Sequence, residues 1–260
     1  EMEITKETLA KMEEELPEVA SILPKSFNFS AIGYGCTSGA TIIGEDQVEK
    51  AITSDTRMIW AETPTNPLLK ITDLNAISLI AKKNNLIFAV DSTFSTPVFL
   101  RPLEFDVDLV MHSTTKYITG HSQLIGGIVI TNRKDLANKL RFAQKTIGAV
   151  PSPIDCWLTL LGVKTLDVRM KKHEENAIKI AEFLDSHPKV STLTYPGLPS
   201  HPMYDVAKEQ MSGFSGMISL ELKGGIPAGE KFLNSVKLSL LAESLGSVET
   251  MVLHPASMTH

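Results

Sequence analysis

The strongest constraint on the fold is a set of compact apolar runs: LIFAVD at residues 86–91, VDLVMHS at 107–113 and GGIVITN at 126–132. Each is too short for a stable helix and too uniformly apolar for a strand with one face in water. The pattern therefore predicts strands buried on both faces of a parallel sheet. RMIWAE at 57–62 reads as another strand, stopped by the prolines of TPTNP. Between these runs, residues 72–84 (TDLNAISLIAKKN) place Leu74, Ile77, Ile80 and Ala81 on one helical face. Strand, helix, strand, connection, strand is the alternation of an α/β fold.

Upstream, Leu9, Met12, Leu16, Val19 and Leu23 recur at helical spacing, so residues 5–23 read as an amphipathic helix that Pro17 kinks or divides. FSAIGYG follows as a short strand, CTSGATIIG as a turn and EDQVEKAI as a helix. After residue 133 long helical patterns dominate, from KDLANKLRFAQ to VKTLDVRMKKHEENAIKIAEFLDSH. A second compact region holds strand patterns in KVSTLTYPG and in GMISLELKGG, where Ile218, Leu220 and Leu222 share a face.

Composition excludes several function classes. The 260 residues carry 25 basic and 30 acidic side chains, a net charge of −5, and no dense Lys/Arg run, so nucleic acid is not an expected partner. No apolar stretch approaches the roughly 20 residues that span a bilayer, and the acidic start EMEITKETLAKMEEE lacks the features of a signal peptide, so no membrane role is expected. Cys36 and Cys156 give no disulfide framework, which fits a reducing cytoplasm. No metal site is expected, because His112, His121, His254 and His260 lack zinc-ligand spacing. Tyr117, Trp60 and Trp157 are expected to serve packing, the tryptophans in the core or at an interface.

The chemistry-bearing stretch is DLVMHSTTKYITGH at 108–121, where a buried strand ends on Ser113, Thr114, Thr115 and Lys116. In doubly wound sheets ligands sit beyond the carboxyl ends of the strands. Asp91 ends one such strand, and Lys116 lies just past the end of the next. A lysine amine held neutral by desolvation condenses with carbonyl compounds. Pyridoxal phosphate requires such a lysine, a carboxylate at its ring nitrogen and donors for its phosphate. Ser113 and Thr115 flank the lysine as candidate phosphate donors. On spacing alone the same residues also fit a polar turn with a solvated lysine and an acid at a strand end.

From about residue 55 to 260 the chain resembles the cysteine and methionine metabolism family of pyridoxal-phosphate enzymes, with AETPTNP, VDSTF, HSTTKYITGHS, GAVPSPID, YPGLPSHP and AESLGSVE followed by HPASMTH in matching order. The resemblance implies the type I, aspartate-aminotransferase fold. It implies that Lys116 carries the cofactor, that Asp91 pairs with the pyridine nitrogen, and that Ser113 and Thr115 hold the phosphate. Thr93 is then close to the ring, and Asn66 lies near the phenolic oxygen and the substrate carboxylate. Ser244 orients the lysine or contacts substrate. GAVPSPIDC and LPSHP are most similar to the cystathionine γ-lyase group, and Glu243 before Ser244 is shared by γ-lyases and γ-synthases rather than methionine lyases. The implied activity is α,γ-elimination of cystathionine or a related sulfur amino acid, in a homo-oligomer (dimer or tetramer).

Ser92, Gln123 and Ser247 stand where the family usually has Asn, Asp and Gly. The chain lacks the family's upstream Tyr/Arg pair, phosphate loop and ring-stacking tyrosine, and its downstream carboxylate-binding arginine, so the fold is expected to be truncated at both ends and the enzyme to be weakened or inactive. Residues 1 to about 50, with LPEVASILP and IGYGCTSGATIIGEDQV, resemble the aspartate/glutamate racemase and maleate isomerase superfamily. There Cys36 would be one of two flanking thiols, with Thr37 and Ser38 around a carboxylate or enolate. The expected organisation is a racemase-like α/β segment at 1–52, a cofactor-binding portion of a large domain at 53–167 and a small-domain portion at 168–260. The rival expectations are a non-catalytic chimera and a cofactor-independent isomerase using Cys36.

Overall fold

The computed structural model describes residues 48–255. Its centre is a four-stranded sheet in the order β1-β2-β3-β4. β1 (Met58–Glu62), β2 (Ile87–Asp91) and β3 (Leu109–Ser113) are parallel neighbours, and β4 (Gly127–Ile130) runs antiparallel to β3. GGIVITN is therefore a strand, but not the buried parallel strand its composition predicts: Ile128 and Val129 are 44% and 45% exposed on the sheet edge. A parallel partner needs a crossover long enough to carry the chain back along the sheet. The connection from β3 is instead one helical turn, Thr114–Ile118, and a loop, which reverse the chain.

Helix α1 (Leu74–Lys83) starts where the Asp73 side chain accepts a bond from the Ala76 amide at 2.9 Å, and it ends on Lys82 and Lys83, charges that suit the carboxyl end of a helix. Its predicted face holds: Leu74, Ile77 and Ala81 are buried against Phe88, Val90 and Val110. The alternate residues of the same strands, Ala89 and Leu109, meet Leu136 of α2 (Lys134–Ile147). Period-two alternation thus gives each sheet face its own helix.

The Ser-Pro-Ile-Asp sequence at 152–155 starts α3 (Pro153–Val163). Ser152 and Asp155 form a reciprocal capping box, and Pro153 occupies the first turn, where its missing amide costs nothing. This helix turns Ile154, Trp157 and Leu160 outward, each more than half exposed. Trp60 is 43% exposed, so neither tryptophan is a core residue. Helix α4 (Leu166–Asp185) runs across the expected division at 167/168. Beyond it, β5 (Val190–Thr194) pairs antiparallel with β6 (Ser219–Leu222). α5 (Tyr204–Gln210) and α6 (Gly225–Leu233) complete the longer elements, with the short parallel pair β7 (Leu240–Leu241) and β8 (Met251–Val252) after them.

The segment between β5 and β6 returns to the large sheet. His201 Nε2 lies 3.0 Å from the Leu69 carbonyl oxygen, and Gln210 bridges the Thr72 carbonyl and the Leu74 amide. Ala207 and Met211 join the same core as Phe88. Among the described residues no helix is long and apolar enough to cross a membrane. The helix expected at 5–23 and the Cys36, Thr37 and Ser38 turn lie outside the described residues.

Candidate active site

The site forms at the carboxyl ends of β1, β2 and β3. In-register pairing sets Glu62 beside Asp91 and Asp91 beside Met111. The Thr93 amide donates to Asp91 Oδ1 at 2.9 Å, and Thr93 Oγ1 accepts from the Ser113 amide at 2.8 Å. Ser113 is the residue from which the Lys116 turn springs. A continuous path of bonds therefore links the acid of one strand end to the lysine turn of the next.

Within that turn Lys116 leaves helical geometry, with φ −92° and ψ −131°. Its Nζ lies 3.4 Å from Ser244 Oγ, a contact between residues far apart in sequence. Gly246 lets the 243–249 loop come this close: a Cβ there would lie 2.6 Å from the Tyr117 amide nitrogen, and its φ of +78° favours glycine in any case. Burial holds the Lys116 amine below the ordinary lysine value, while the carboxylate of Glu243 pulls it partly back up. A partly desolvated amine with a lowered proton affinity is suited to act as a nucleophile and base.

Ser113 and Thr115 flank the lysine as predicted, in unequal states. The Thr115 hydroxyl accepts from the Gly126 amide at 2.9 Å and is 3.3 Å from the Gly126 carbonyl, so the β4 end already engages it. Asn66 is exposed and reaches the site through its backbone, donating its amide to Glu62 Oε1 at 3.3 Å. Ser92 is fully buried and bonds the Ser95 hydroxyl at 2.8 Å, so a small hydroxyl fills this position without disturbing Asp91.

One group escapes the sequence reading. Glu62 is pushed up to about 8, chiefly by burial and then by the charge of Asp91. The available signal was RMIWAE ending on an acid as LIFAVD does. His112, weighed in the sequence only as a metal ligand, donates from Nδ1 to the Ser92 carbonyl at 3.0 Å, and burial lowers its proton affinity. A cavity of about 600 Å³ lies at the opposite ends of the strands among Lys82, Asp106, Asp108 and Arg133 and does not touch these residues.

The sequence model of the Cys/Met metabolism PLP-dependent enzyme family matches residues 31–260. A cystathionine gamma-lyase of Dictyostelium discoideum is 49% identical over 215 residues, which is 83% of this chain and 56% of that protein. A cystathionine gamma-synthase of Mycobacterium leprae is 51% identical over 215 residues, 83% of this chain and 55% of that protein. The crystal structure of metB from Corynebacterium glutamicum superposes with a TM-score of 0.82 at 50% identity, covering 84% of this chain and 57% of that one. The chain thus spans a little over half the length of these relatives. The family match begins at residue 31, inside the segment expected to resemble the racemases, so GCTSG falls within this family's span and the racemase expectation is not supported. With the sheet order, the Lys116 turn and these matches in agreement, the chain belongs to the Cys/Met metabolism PLP-dependent enzymes and has their type I fold.

Proposed function

We propose that the chain is the cofactor-holding portion of a transsulfuration C–S lyase that acts on cystathionine or a related sulfur amino acid by α,γ-elimination. The observation that carries this reading is the half-buried Lys116 amine, held against Ser244 and joined through Ser113 and Thr93 to Asp91. The donor set fits pyridoxal phosphate: an amine of lowered proton affinity for its aldehyde, an acid for its ring nitrogen and hydroxyls for its phosphate. When bound, that cofactor supplies an electron sink for charge developing at the substrate α-carbon.

The residues divide the remaining work. Lys116 would hold the cofactor through its aldehyde and, once displaced by the substrate amine, would move the proton of the substrate α-carbon. Asp91 would keep a proton on the ring nitrogen, and Thr93 would pack beside the ring. Ser113 and Thr115 would hold the phosphate, the Thr115 hydroxyl from a position 3.3 Å from the Gly126 carbonyl. Asn66 would meet the phenolic oxygen and the substrate carboxylate from the loop that Glu62 anchors. Ser244 orients the Lys116 amine, and Glu243 faces the substrate's distal end. Relatives of nearly equal identity carry lyase and synthase names, so overall identity does not select the reaction; the choice of γ-elimination rests on the 148–156 and LPSHP motifs.

The outward apolar residues of α3 support a homo-oligomer, and sparing use of cysteine supports a cytoplasmic location. The proposed division is a cofactor portion at 53–167 and a smaller portion at 168–260, tied by α4 and by the returning 198–214 segment. Adding pyridoxal phosphate to the protein is expected to give an absorbance band near about 420 nm that Lys116→Ala abolishes. A colourless wild-type protein with cooperative thermal unfolding, or a band unchanged in the variant, overturns the reading.

A further inference from the structure

The geometry points to Arg169 as the residue that positions Lys116, by clamping the backbone of the lysine's own turn to the end of α3. Arg169 is 8% exposed. Its Nη1 donates to the Tyr117 carbonyl at 2.7 Å, its Nη2 to the Ile118 carbonyl at 3.2 Å and the Gly162 carbonyl at 2.8 Å, and its Nε to Thr165 Oγ1 at 3.0 Å. All these acceptors are neutral oxygens. A buried guanidinium spent on carbonyls is a costly group, retained only where those carbonyls need it.

They need it because the turn cannot satisfy them itself. The Thr114 carbonyl is taken by the amide and hydroxyl of Thr119, and the Lys116 carbonyl by the Gly120 amide. The Tyr117 and Ile118 carbonyls fall where the helical geometry has been broken at Lys116 and the chain is leaving the turn, and Arg169 supplies their donors. Buried carbonyls left without a partner would force the turn to rearrange. Two glycines make room for the clamp. A Cβ on Gly120, whose φ is +69°, would sit 2.1 Å from Arg169 Nη1, and a Cβ on Gly162 would sit 2.5 Å from the Thr119 carbonyl oxygen. Met170 and His173, on the same face of α4, pack on Tyr117, so this helix bears on the turn along two of its own turns.

Only a fork reaches these acceptors together. Lysine carries its donors on one atom and cannot span three carbonyls and a hydroxyl. With the clamp removed, the turn relaxes, the Nζ–Ser244 contact opens and the Lys116 amine gains water. Its proton affinity then returns toward that of an ordinary lysine.

This inference rests on the proposed role of Lys116, and its test reads that amine without cofactor. Competitive acetylation of the cofactor-free protein across pH, followed by peptide mass spectrometry, gives the titration midpoint of Lys116 in wild type, Arg169→Lys, Arg169→Gln and Thr165→Val. Wild-type Lys116 should titrate below the surface lysines. Both Arg169 variants should raise its midpoint by about one pH unit and weaken pyridoxal-phosphate binding about tenfold or more, with Thr165→Val between. Arg169→Lys matching wild type would show that charge alone matters and would overturn the clamp. If the Arg169 variants fail to fold, an unchanged midpoint in a folded Thr165→Val overturns it instead. A raised midpoint in Arg169→Gln alongside a cofactor band that survives Lys116→Ala would sustain the clamp and sink the proposed cofactor chemistry, so the two failures are distinguishable.

Discussion

Glu62 and Asp91 occupy the same rung at the carboxyl end of the parallel β1–β2 pair, two acids on one sheet face. With Asp91 charged beside it and water largely excluded, Glu62 keeps its proton to about 8 against an ordinary 4.5. The folded protein then holds a proton that the unfolded chain releases. Stability from this group is complete below about pH 4.5 and is lost as pH rises toward 8, with a slope of at most about 1.4 kcal/mol per pH unit. Glu62→Gln should remove that slope. Urea midpoints at about pH 5 and pH 8 check it: the wild type should fall relative to the variant between them, and parallel curves would show Glu62 to be ionised in the folded state.

Glu243 acts on Lys116 in the opposite sense to burial. Glu243→Gln should therefore lower the Lys116 midpoint further, by less than about one pH unit because an exposed carboxylate is screened. The shift should shrink as salt is raised. Competitive labelling of Lys116 at low and high ionic strength measures both, and an upward shift would contradict the assignment of cause.

Leu74 has no exposed surface and Leu79, on the same helix, is 69% exposed. Leu74→Ala should cost about 2–5 kcal/mol, and Leu79→Ala no more than about 0.5 kcal/mol. Chemical denaturation of the two variants is the check; similar losses would mean that α1 does not face the sheet with the side described.

Trp157 and Leu160 present apolar surface on α3 at 56% and 63% exposure. If this face is covered by another copy, Trp157→Asp with Leu160→Asp should shift sedimentation toward a smaller species while leaving thermal unfolding cooperative. An unchanged sedimentation coefficient would remove α3 from any subunit contact.

The sequence by itself determined the parallel strands and the face of α1, because apolar periodicity is a local consequence of burying one side of an element. It also singled out Lys116 and Asp91 as candidates for the proposed chemistry, because each sits at the end of an apolar run, where a strand must reach the surface. Tertiary structure alone decided the rest. The direction of β4 depended on how the chain turns after Lys116, which an apolar run does not encode. Glu62 became a proton-holding neighbour of Asp91 only through strand register. Arg169 meets the lysine turn from a distant part of the chain, and Gly120, Gly162 and Gly246 are needed only because other groups approach them closely. Such contacts are properties of packing between elements, and no local pattern in the chain records them.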